Sequence, residues 1–454
     1  MRRPHEISRS WSCRGRADRG AALLVVITSI AILTAVSVDL AYNTRVSLQM
    51  AANARDELRA TYLAKSAVAM SRLVLNFQQQ LDLATGSAGG AQASKSAGAK
   101  GATSQSPLGA LLGGGRLAIR LWDMVPIDSS AAALFLGGGA REASDAPVQA
   151  PVPVPGTGAE AAAAPPPGSR RAFGDVEGSF HATIEDEERK INLRQFDGVA
   201  RFPSAQAMRL AQLVRDPKWD FLFDEEDANG WRVSRKDLFG ALKDWQDVDE
   251  MSSGFTGDTS KPFEAGFGDE NYLYDRLSDR YKAKNNPFDS LDELFMVGGV
   301  SDAFMAAFGD KLTIYPDVNA TINVNTDDPV QLFVNALVMS DPPGLPQPAT
   351  LDPTFLSKLQ AALALAKPMP FMTISPQQFA AMLQALGVKV HADFLATSID
   401  PGKNPFGDRS STFHIRAVGV AGDVQKTIDA VVTFDRRAEG LAQDQGRLLH
   451  WREE

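Results

Sequence analysis

The chain has 454 residues, of which 44% are hydrophobic, and this is enough to form two or three domains with their own cores. Its net charge of -9 argues against a general polyanion-binding protein, because phosphate contacts require clustered lysine and arginine side chains. We therefore expect no nucleic-acid partner. The single cysteine, Cys13, excludes a disulfide framework within the chain.

An apolar segment near the N-terminus is long enough to cross a membrane. Residues 21–38 carry no charge, and a helix of about 20 such residues spans a bilayer. Six arginines against two acidic residues precede the segment, a bias that retains the N-terminus in the cytoplasm. Apolar residues then recur at helical spacing as far as residue 81 without a proline, so the sequence predicts a membrane helix that continues as a stalk over residues 21–82. A plain anchor followed by a separate helix is the alternative.

Composition and spacing divide the rest of the chain. Residues 83–116 and 137–172 are rich in glycine, alanine, serine or proline and predict flexible insertions, because they cannot bury enough apolar surface. Strands are predicted within residues 117–136, 173–201 and 406–440. They include a strand at 117–122 and an antiparallel hairpin that turns at Gly422 and Asp423. Residues 202–405 have helical spacing, and residues 441–454 are assigned as a tail. The predicted fold class is α+β, with a small antiparallel sheet and a large helical domain inserted between its strands.

Seven segments of the inserted block carry apolar residues at helical spacing. They are residues 205–214, 236–245, 290–296, 301–308, 329–338, 354–366 and 376–386. Ser234, Ser301 and Ser375 precede three of them as candidate N-caps. Asn192 and Asn323 each lie in a short extended segment before a helix, and we favour a turn-forming role for their amides over a binding role.

An acidic stretch is the strongest candidate for a functional site. Residues 244–279 hold ten acidic side chains against Lys261 and Arg276, with glycines that permit tight turns. Calcium takes six to eight oxygen ligands, and clustered carboxylates on an irregular loop can supply them. The spacing does not match an EF-hand loop. From the residues alone, a structural cation site and a solvated acidic loop both remain open.

Enzymatic motifs are absent from the sequence. The five histidines fall in no metal-ligand spacing, and there is no nucleophile elbow, phosphate-binding loop or zincin helix. The sequence therefore predicts a protein that is not an enzyme.

The segment around Gly20 resembles the N-terminus of type IV pilin-like proteins. A short basic leader, residues 1–20, ends in Gly20 and is followed by the apolar residues 21–26. The resemblance implies that a prepilin peptidase cuts after Gly20 and methylates the new N-terminal residue, Ala21. Val25 stands where most pilin-like proteins have a glutamate. The absence of that glutamate is typical of the K-class minor pseudopilins of type II secretion.

Three further segments resemble the K class in order and spacing: residues 245–249, 268–272 and 286–294. The resemblance implies a structural Ca²⁺ bound by a loop between helices, with ligands at Asp247, Asp249, Glu264, Asp269, Glu270 and Asn271. It also implies a non-enzymatic subunit at the tip of the pseudopilus, which helps to export folded proteins across the outer membrane.

The same resemblance implies the location and the partners. The chain would cross the bacterial inner membrane once, with its C-terminal domain in the periplasm. The implied partners are the I-class and J-class minor pseudopilins, the prepilin peptidase and the inner-membrane secretion platform. The alternative is a membrane-anchored periplasmic binding or adaptor protein that is never processed.

Overall fold

The computed structural model describes residues 17–90, 120–135, 172–173, 176–196, 203–224, 232–258, 261–277, 279–369, 371–395, 404–434 and 446–454. The fold over these residues is α+β. Its helices are α1 Ala17–Gly90, α2 Leu121–Met124, α3 Ser129–Phe135, α4 Pro203–Val214, α5 Phe221–Asp224, α6 Arg235–Asp244, α7 Asp302–Phe308, α8 Pro329–Met339, α9 Phe355–Ala366 and α10 Pro376–Ala385. Its strands are β1 Ile127–Asp128, β2 Ala172–Phe173, β3 Val176–Glu177, β4 Ser179–Asp186, β5 Ile191–Asn192, β6 Met251–Phe255, β7 Phe263–Asp269, β8 Leu312–Thr313, β9 Ile322–Asn323, β10 Phe406–Gly407, β11 Thr412–Ala421, β12 Val424–Thr433 and β13 Arg447–Glu453. Short 3-10 helices cover Glu187–Arg189, Leu193–Phe196, Pro217–Trp219, Glu270–Arg276, Leu291–Met296, Gly309–Lys311 and Ala392–Phe394.

Helix α1 has two parts with different environments. Its 74 residues correspond to roughly 110 Å at 1.5 Å per residue. Within the described residues, it is the helix long and apolar enough to cross a membrane. Most apolar side chains from Leu23 to Leu58 are exposed, whereas Leu63, Val68 and Leu75 are buried against the sheet. The helix also runs past its predicted end at residue 82, and residues 91–116 and 137–171 of the predicted insertions lie outside the described part.

The helix packs on one face of a five-stranded antiparallel sheet with the strand order β1-β4-β11-β12-β13. Ala60 and Ala64 have no exposed surface where they face β11. A Cβ atom at Gly419 of β11 would overlap the Ala60 carbonyl oxygen and lie 2.6 Å from the Ala64 amide nitrogen. The two backbones can therefore approach this closely because all three residues are small.

The hairpin prediction is confirmed, and two other predictions for the sheet are wrong. Strands β11 and β12 turn at Gly422, which has a φ of +58°. The predicted tail instead supplies β13, which pairs with β12. The predicted strand at 117–122 is wrong in its described part, because α2 begins at Leu121, whose amide donates to Gln78 Oε1 on α1. The alternation of apolar residues suggested a strand here, whereas the contact with a distant residue favours a helical turn instead.

The helical domain is inserted between β4 and β11, as predicted, and contains two apolar clusters. One cluster includes Phe239, Leu294 and Phe308, and the other includes Leu332 and Phe379. Six of the seven predicted helices form as α-helices, and the segment at 290–296 forms a 3-10 helix. The predicted caps at Ser234, Ser301 and Ser375 each accept a backbone N–H in the first turn. Helix α4 contributes to both clusters and joins them into one domain.

The two asparagines form turns, as the sequence predicted. Asn192 Oδ1 accepts the Arg194 amide at 3.1 Å, and Asn323 Oδ1 accepts the Asn325 amide at 2.9 Å. Each asparagine ends a two-residue parallel pairing, β5 with β8 and β9 with β10. Each side-chain amide oxygen thereby satisfies a backbone N–H two residues after the end of its strand.

A buried polar network joins the helical domain to the sheet. Asp186 Oδ2 accepts hydrogen bonds from Asn323 Nδ2 and Ser410 Oγ, both at 2.7 Å. Glu188 Oε1 accepts the amide and hydroxyl of Ser411 at 2.8 and 2.7 Å. Asp186 and Glu188 are both buried at the point where the chain leaves the sheet, so the junction depends on their charge state.

This network predicts a pH-dependent stability. Burial raises the pKa of Asp186 to about 6 and that of Glu188 to about 8. The folded chain therefore holds these protons at pH values where an unfolded carboxyl, with a pKa of about 4, has lost them. Their contribution to the free energy of unfolding is greatest below pH 4 and is lost as the pH rises from about 4 to about 8. Urea unfolding of the detergent-solubilised chain at a series of pH values checks this sign.

The matched variants are Glu188→Gln and, as a control at an exposed position, Glu185→Gln. In Glu188→Gln, the free energy of unfolding is expected to fall less steeply as the pH rises towards 8. The control is expected to retain the wild-type dependence on pH. A slope in Glu188→Gln equal to that of the wild type would contradict the assignment.

Asn335 on α8 is a buried polar side chain in an apolar cluster. It has no exposed surface, and neither its Oδ1 nor its Nδ2 has a hydrogen-bond partner among the described residues. Leucine has the same number of side-chain heavy atoms and no polar group to desolvate. We expect Asn335→Leu to raise the free energy of unfolding by about 1–2 kcal/mol. Urea denaturation measures this gain in stability. The control is Gln384→Leu at an exposed position, which is expected to stay within about 0.5 kcal/mol of wild type. A destabilised Asn335→Leu would contradict the prediction.

Candidate metal centre

The acidic stretch folds as a loop and a hairpin held against α6. The helix begins with a capping box between Ser234 and Asp237. It packs closely on β6, since a Cβ atom at Gly240 would overlap the Ser253 carbonyl oxygen. At its end, the Asp244 carboxylate accepts the Ser253 amide at 2.9 and 3.1 Å. Burial raises the pKa of Asp244 to about 7. These contacts fix the residues that follow α6 relative to the hairpin.

Three carboxylates converge where this loop meets the 3-10 helix Glu270–Arg276. One ligand oxygen from each of Asp247, Asp249 and Glu270 lies within 4.8 Å of the other two. Asp247 and Glu270 are 7% and 3% exposed, and Asp249 is exposed. Lys243 is the cation beside them, with its Nζ paired to Asp247 and 2.8 Å from Ser253 Oγ. Among the side chains that the structure describes, this one ammonium group faces three carboxylates, which leaves the cluster with an excess of negative charge.

The Glu270 side chain lacks a well-formed hydrogen bond to any group that the structure describes. Both of its carboxylate oxygens are buried, and neither has a partner that satisfies hydrogen-bond geometry among the described groups. Burial, followed by the charges of Asp247, Asp249 and Asp269, raises the pKa of Glu270, and the Asn285 side chain opposes the rise. A buried carboxylate in this setting is destabilising unless a positive charge compensates it.

Asn285 is a neighbour of the cluster that the sequence reasoning missed. It has a φ of +51°, and asparagine is among the few residues that tolerate this left-handed conformation. Its Nδ2 donates to the Asp249 carbonyl oxygen at 3.2 Å, while its Oδ1 is buried without a hydrogen-bond partner among the described groups. The signal in the sequence is the pair Asn285-Asn286 before a proline, which is typical of a turn.

The other three predicted ligands have different surroundings. Asp269 Oδ1 caps the 3-10 helix by accepting the Asn271 amide at 2.9 Å. Asn271 Oδ1 accepts the Ala283 amide, also at 2.9 Å. Glu264 is exposed on β7, opposite Gly254. Asp269 and Asn271 therefore position the backbone beside the cluster, and Glu264 lies on the outer surface of the hairpin.

The arrangement suits a hard cation bound through oxygen. Two buried carboxylates and one exposed carboxylate bring three ligand oxygens together, and Asn285 contacts the same loop by donating from Nδ2 to the Asp249 carbonyl oxygen. Calcium accepts such a mixed and irregular set, whereas magnesium requires a near-ideal octahedron and keeps most of its waters. The side-chain oxygens of Glu270 and Asn285 are buried without hydrogen-bond partners among the described groups. This is the observation that favours a bound cation most strongly.

No protein-family model matches the chain, and no curated protein matches it significantly. Among solved structures, the chain is similar to the crystal structure of the GspK-GspI-GspJ complex from the type 2 secretion system of enterotoxigenic Escherichia coli. The similarity has 16% identity and a TM-score of 0.37, and it covers 61% of this chain and 80% of that chain. A likeness this weak establishes neither fold nor function for this chain.

Proposed function

We propose that the chain is a minor pseudopilin of a type II secretion system, anchored in the inner membrane by α1. The observation that carries the proposal is the division of α1 into two parts. Its first half exposes an apolar surface long enough to cross a bilayer, and its second half is the core element beneath an antiparallel sheet. A leader ending at Gly20 precedes the apolar half and supports processing by a prepilin peptidase.

The position of the helical domain supports a place at the tip of the filament. Gln79 Nε2 donates to the Ser410 carbonyl oxygen at 2.9 Å, and Arg409 Nη1 donates to the Asp82 carbonyl oxygen at 2.5 Å. These contacts tie the domain to the part of α1 that lies roughly 90 Å beyond Ala21 along the helix axis. Such a bulky domain at the distal end would obstruct the stacking of another subunit above it. The proposed role is to cap the filament with the I-class and J-class minor pseudopilins.

We further propose that the carboxylate cluster binds a structural Ca²⁺. Asp247, Asp249 and Glu270 would hold it, with Asn285 Oδ1 as an additional oxygen. The ion would neutralise the excess negative charge of the cluster and join the loop after α6 to the 3-10 helix. Its contribution is to stability, and no chemical reaction is assigned to it.

Co-expression tests the pseudopilin proposal. The full chain, purified in detergent, is expected to retain the I-class and J-class subunits of the same organism. Leu58 and Tyr62 lie on the stalk part of α1, about 30 Å or more beyond residue 38 along the helix axis, and their side chains are 62% and 66% exposed. Replacing both with glutamate should reduce the recovery of the partners at least tenfold, because burying unpaired charge between helices is unfavourable.

The control is Gln360→Glu, which adds a negative charge at an exposed position of α9. It should leave recovery unchanged. Failure of the wild-type chain to retain either class, with both expressed, would contradict the proposal and favour the unprocessed adaptor.

A further inference from the structure

The hairpin of β6 and β7 contains a bulge that displays one aromatic side chain. Met251 pairs with Asp269 and Ser253 with Ala265, so β7 carries two more residues than β6 between these pairs. The extra length falls in Gly266-Phe267-Gly268. A Cβ atom at Gly266 would lie 2.5 Å from the Ser252 carbonyl oxygen, so this position accepts only glycine without a shift.

The bulge leaves Phe267 completely exposed, at 103% of its reference surface. Full burial of a phenylalanine favours folding by about 1.5–3 kcal/mol, and none of that is gained here. Bulges re-aim side chains and are typical beside functional sites. The glycines on both sides remove the neighbouring side chains that could cover the ring. The ring is therefore fully accessible to a binding partner.

Three other exposed apolar side chains lie on the same hairpin and on the loops that hold the carboxylates. Val248 is 87% exposed between Asp247 and Asp249, and Met251 and Tyr272 are each 48% exposed. We name Val248, Met251, Phe267 and Tyr272 together the Phe267 surface. Each carboxylate-bearing segment therefore contributes an apolar side chain to it, so an ion that joins the two segments also fixes their apolar residues relative to each other.

The charges around the Phe267 surface restrict what can bind to it. Besides the proposed ligand Asp249, the hairpin and its adjoining loop carry three exposed carboxylates, those of Glu250, Glu264 and Asp269, whereas Lys261 is the exposed cation of the hairpin. An acidic edge repels anionic lipid headgroups and nucleic acid and attracts basic side chains. Exposed aromatic residues inside a polar edge are typical of the anchors that dominate protein interfaces.

We infer that the Phe267 surface docks a protein segment whose apolar side chains are flanked by lysine and arginine, with Phe267 as the anchor. The inference rests on the proposed Ca²⁺, which holds the two carboxylate segments in place. Removal of the ion separates the apolar residues and weakens docking, so the surface is regulated by the cation.

The test uses the full chain in detergent and a fluorescent amphipathic helical peptide of leucine and lysine, titrated by anisotropy at physiological salt with CaCl₂. Phe267→Ser is expected to weaken binding about tenfold or more, from the loss of one buried aromatic ring. Excess EDTA should weaken it similarly. The matched control is Leu365→Ser, which removes another highly exposed apolar residue, 85% exposed on α9, and should change binding less than twofold.

Equal binding by Phe267→Ser and wild type overturns the inference. Phe267-dependent binding to anionic vesicles, or Phe267-dependent self-association in sedimentation, also overturns it, by identifying another occupant. Binding that depends on Phe267 but survives EDTA overturns the coupling to the cation, while the pseudopilin proposal is decided separately by co-purification.

Discussion

Gly419→Val is expected to separate the stalk helix from the sheet and to lower the free energy of unfolding by about 3 kcal/mol or more. The reason is the backbone contact between α1 and β11, where a Cβ atom at position 419 would overlap the Ala60 carbonyl oxygen. Neither backbone can yield without disturbing Ala64, which has no exposed surface. Thermal and urea unfolding of the detergent-solubilised chain measure the loss.

Gly309→Ala is the matched control for this substitution. Gly309 ends α7 with helical dihedral angles, and the nearest atom to an added Cβ is Met305 Cε at 3.5 Å. We expect it to cost no more than about 0.5 kcal/mol, since an unstrained surface change has a small effect. Wild-type stability in Gly419→Val would contradict the close packing of α1 on the sheet.

Calcium is expected to raise the free energy of unfolding by about 2–3 kcal/mol when the free ion exceeds its dissociation constant about a hundredfold. The physical reason is that Asp247, Asp249 and Glu270 are brought together in the folded chain and are dispersed in the unfolded one. Differential scanning fluorimetry with CaCl₂, with MgCl₂ and with excess EDTA measures the effect. Magnesium should produce a much smaller shift.

A matched pair of variants, Glu270→Gln and Glu264→Gln, tests which carboxylate binds the ion. Glu270→Gln should abolish the calcium effect and, in EDTA, should be at least as stable as wild type, because it removes a buried carboxylate that its neighbours repel. Glu264→Gln should keep the calcium effect, since Glu264 lies on the outer surface of the hairpin. A wild-type melting temperature that is the same in EDTA and in CaCl₂ would contradict the metal proposal.

Local sequence signals predicted much of the fold. Apolar residues at helical spacing after Ser234, Ser301 and Ser375 predicted three helices, because a hydroxyl cap and a periodic face act over only a few residues. Alternation around Gly422 and Asp423 predicted the longest hairpin for the same reason. The insertion of the helical domain followed from strands on both sides of a helical block.

The failures in the fold arise from distant contacts. Residues 447–453 have no clean alternation, so β13 forms only because β12 offers a free edge. Leu121 begins a helical turn because its amide meets Gln78, which is 43 residues away in sequence. Neither contact leaves a local pattern.

The candidate site was predictable in its region but not in its geometry. Ten acidic residues between 244 and 279 indicated where a cation site was possible, and spacing alone could not show which of them converge. The structure brings Asp247, Asp249 and Glu270 together through the packing of the hairpin on α6. Asn285 was missed because its position depends on a left-handed backbone conformation, which the sequence signals only weakly.

The mature N-terminus tests the central proposal most directly. The full chain, extracted from membranes of cells that contain a prepilin peptidase, is analysed by N-terminal peptide mass spectrometry. The pseudopilin proposal predicts a chain that begins at an N-methylated Ala21, and predicts that an arginine in place of Gly20 blocks this cut. A wild-type chain that begins at Met1 would contradict the proposal and leave α1 as the anchor of an unprocessed protein.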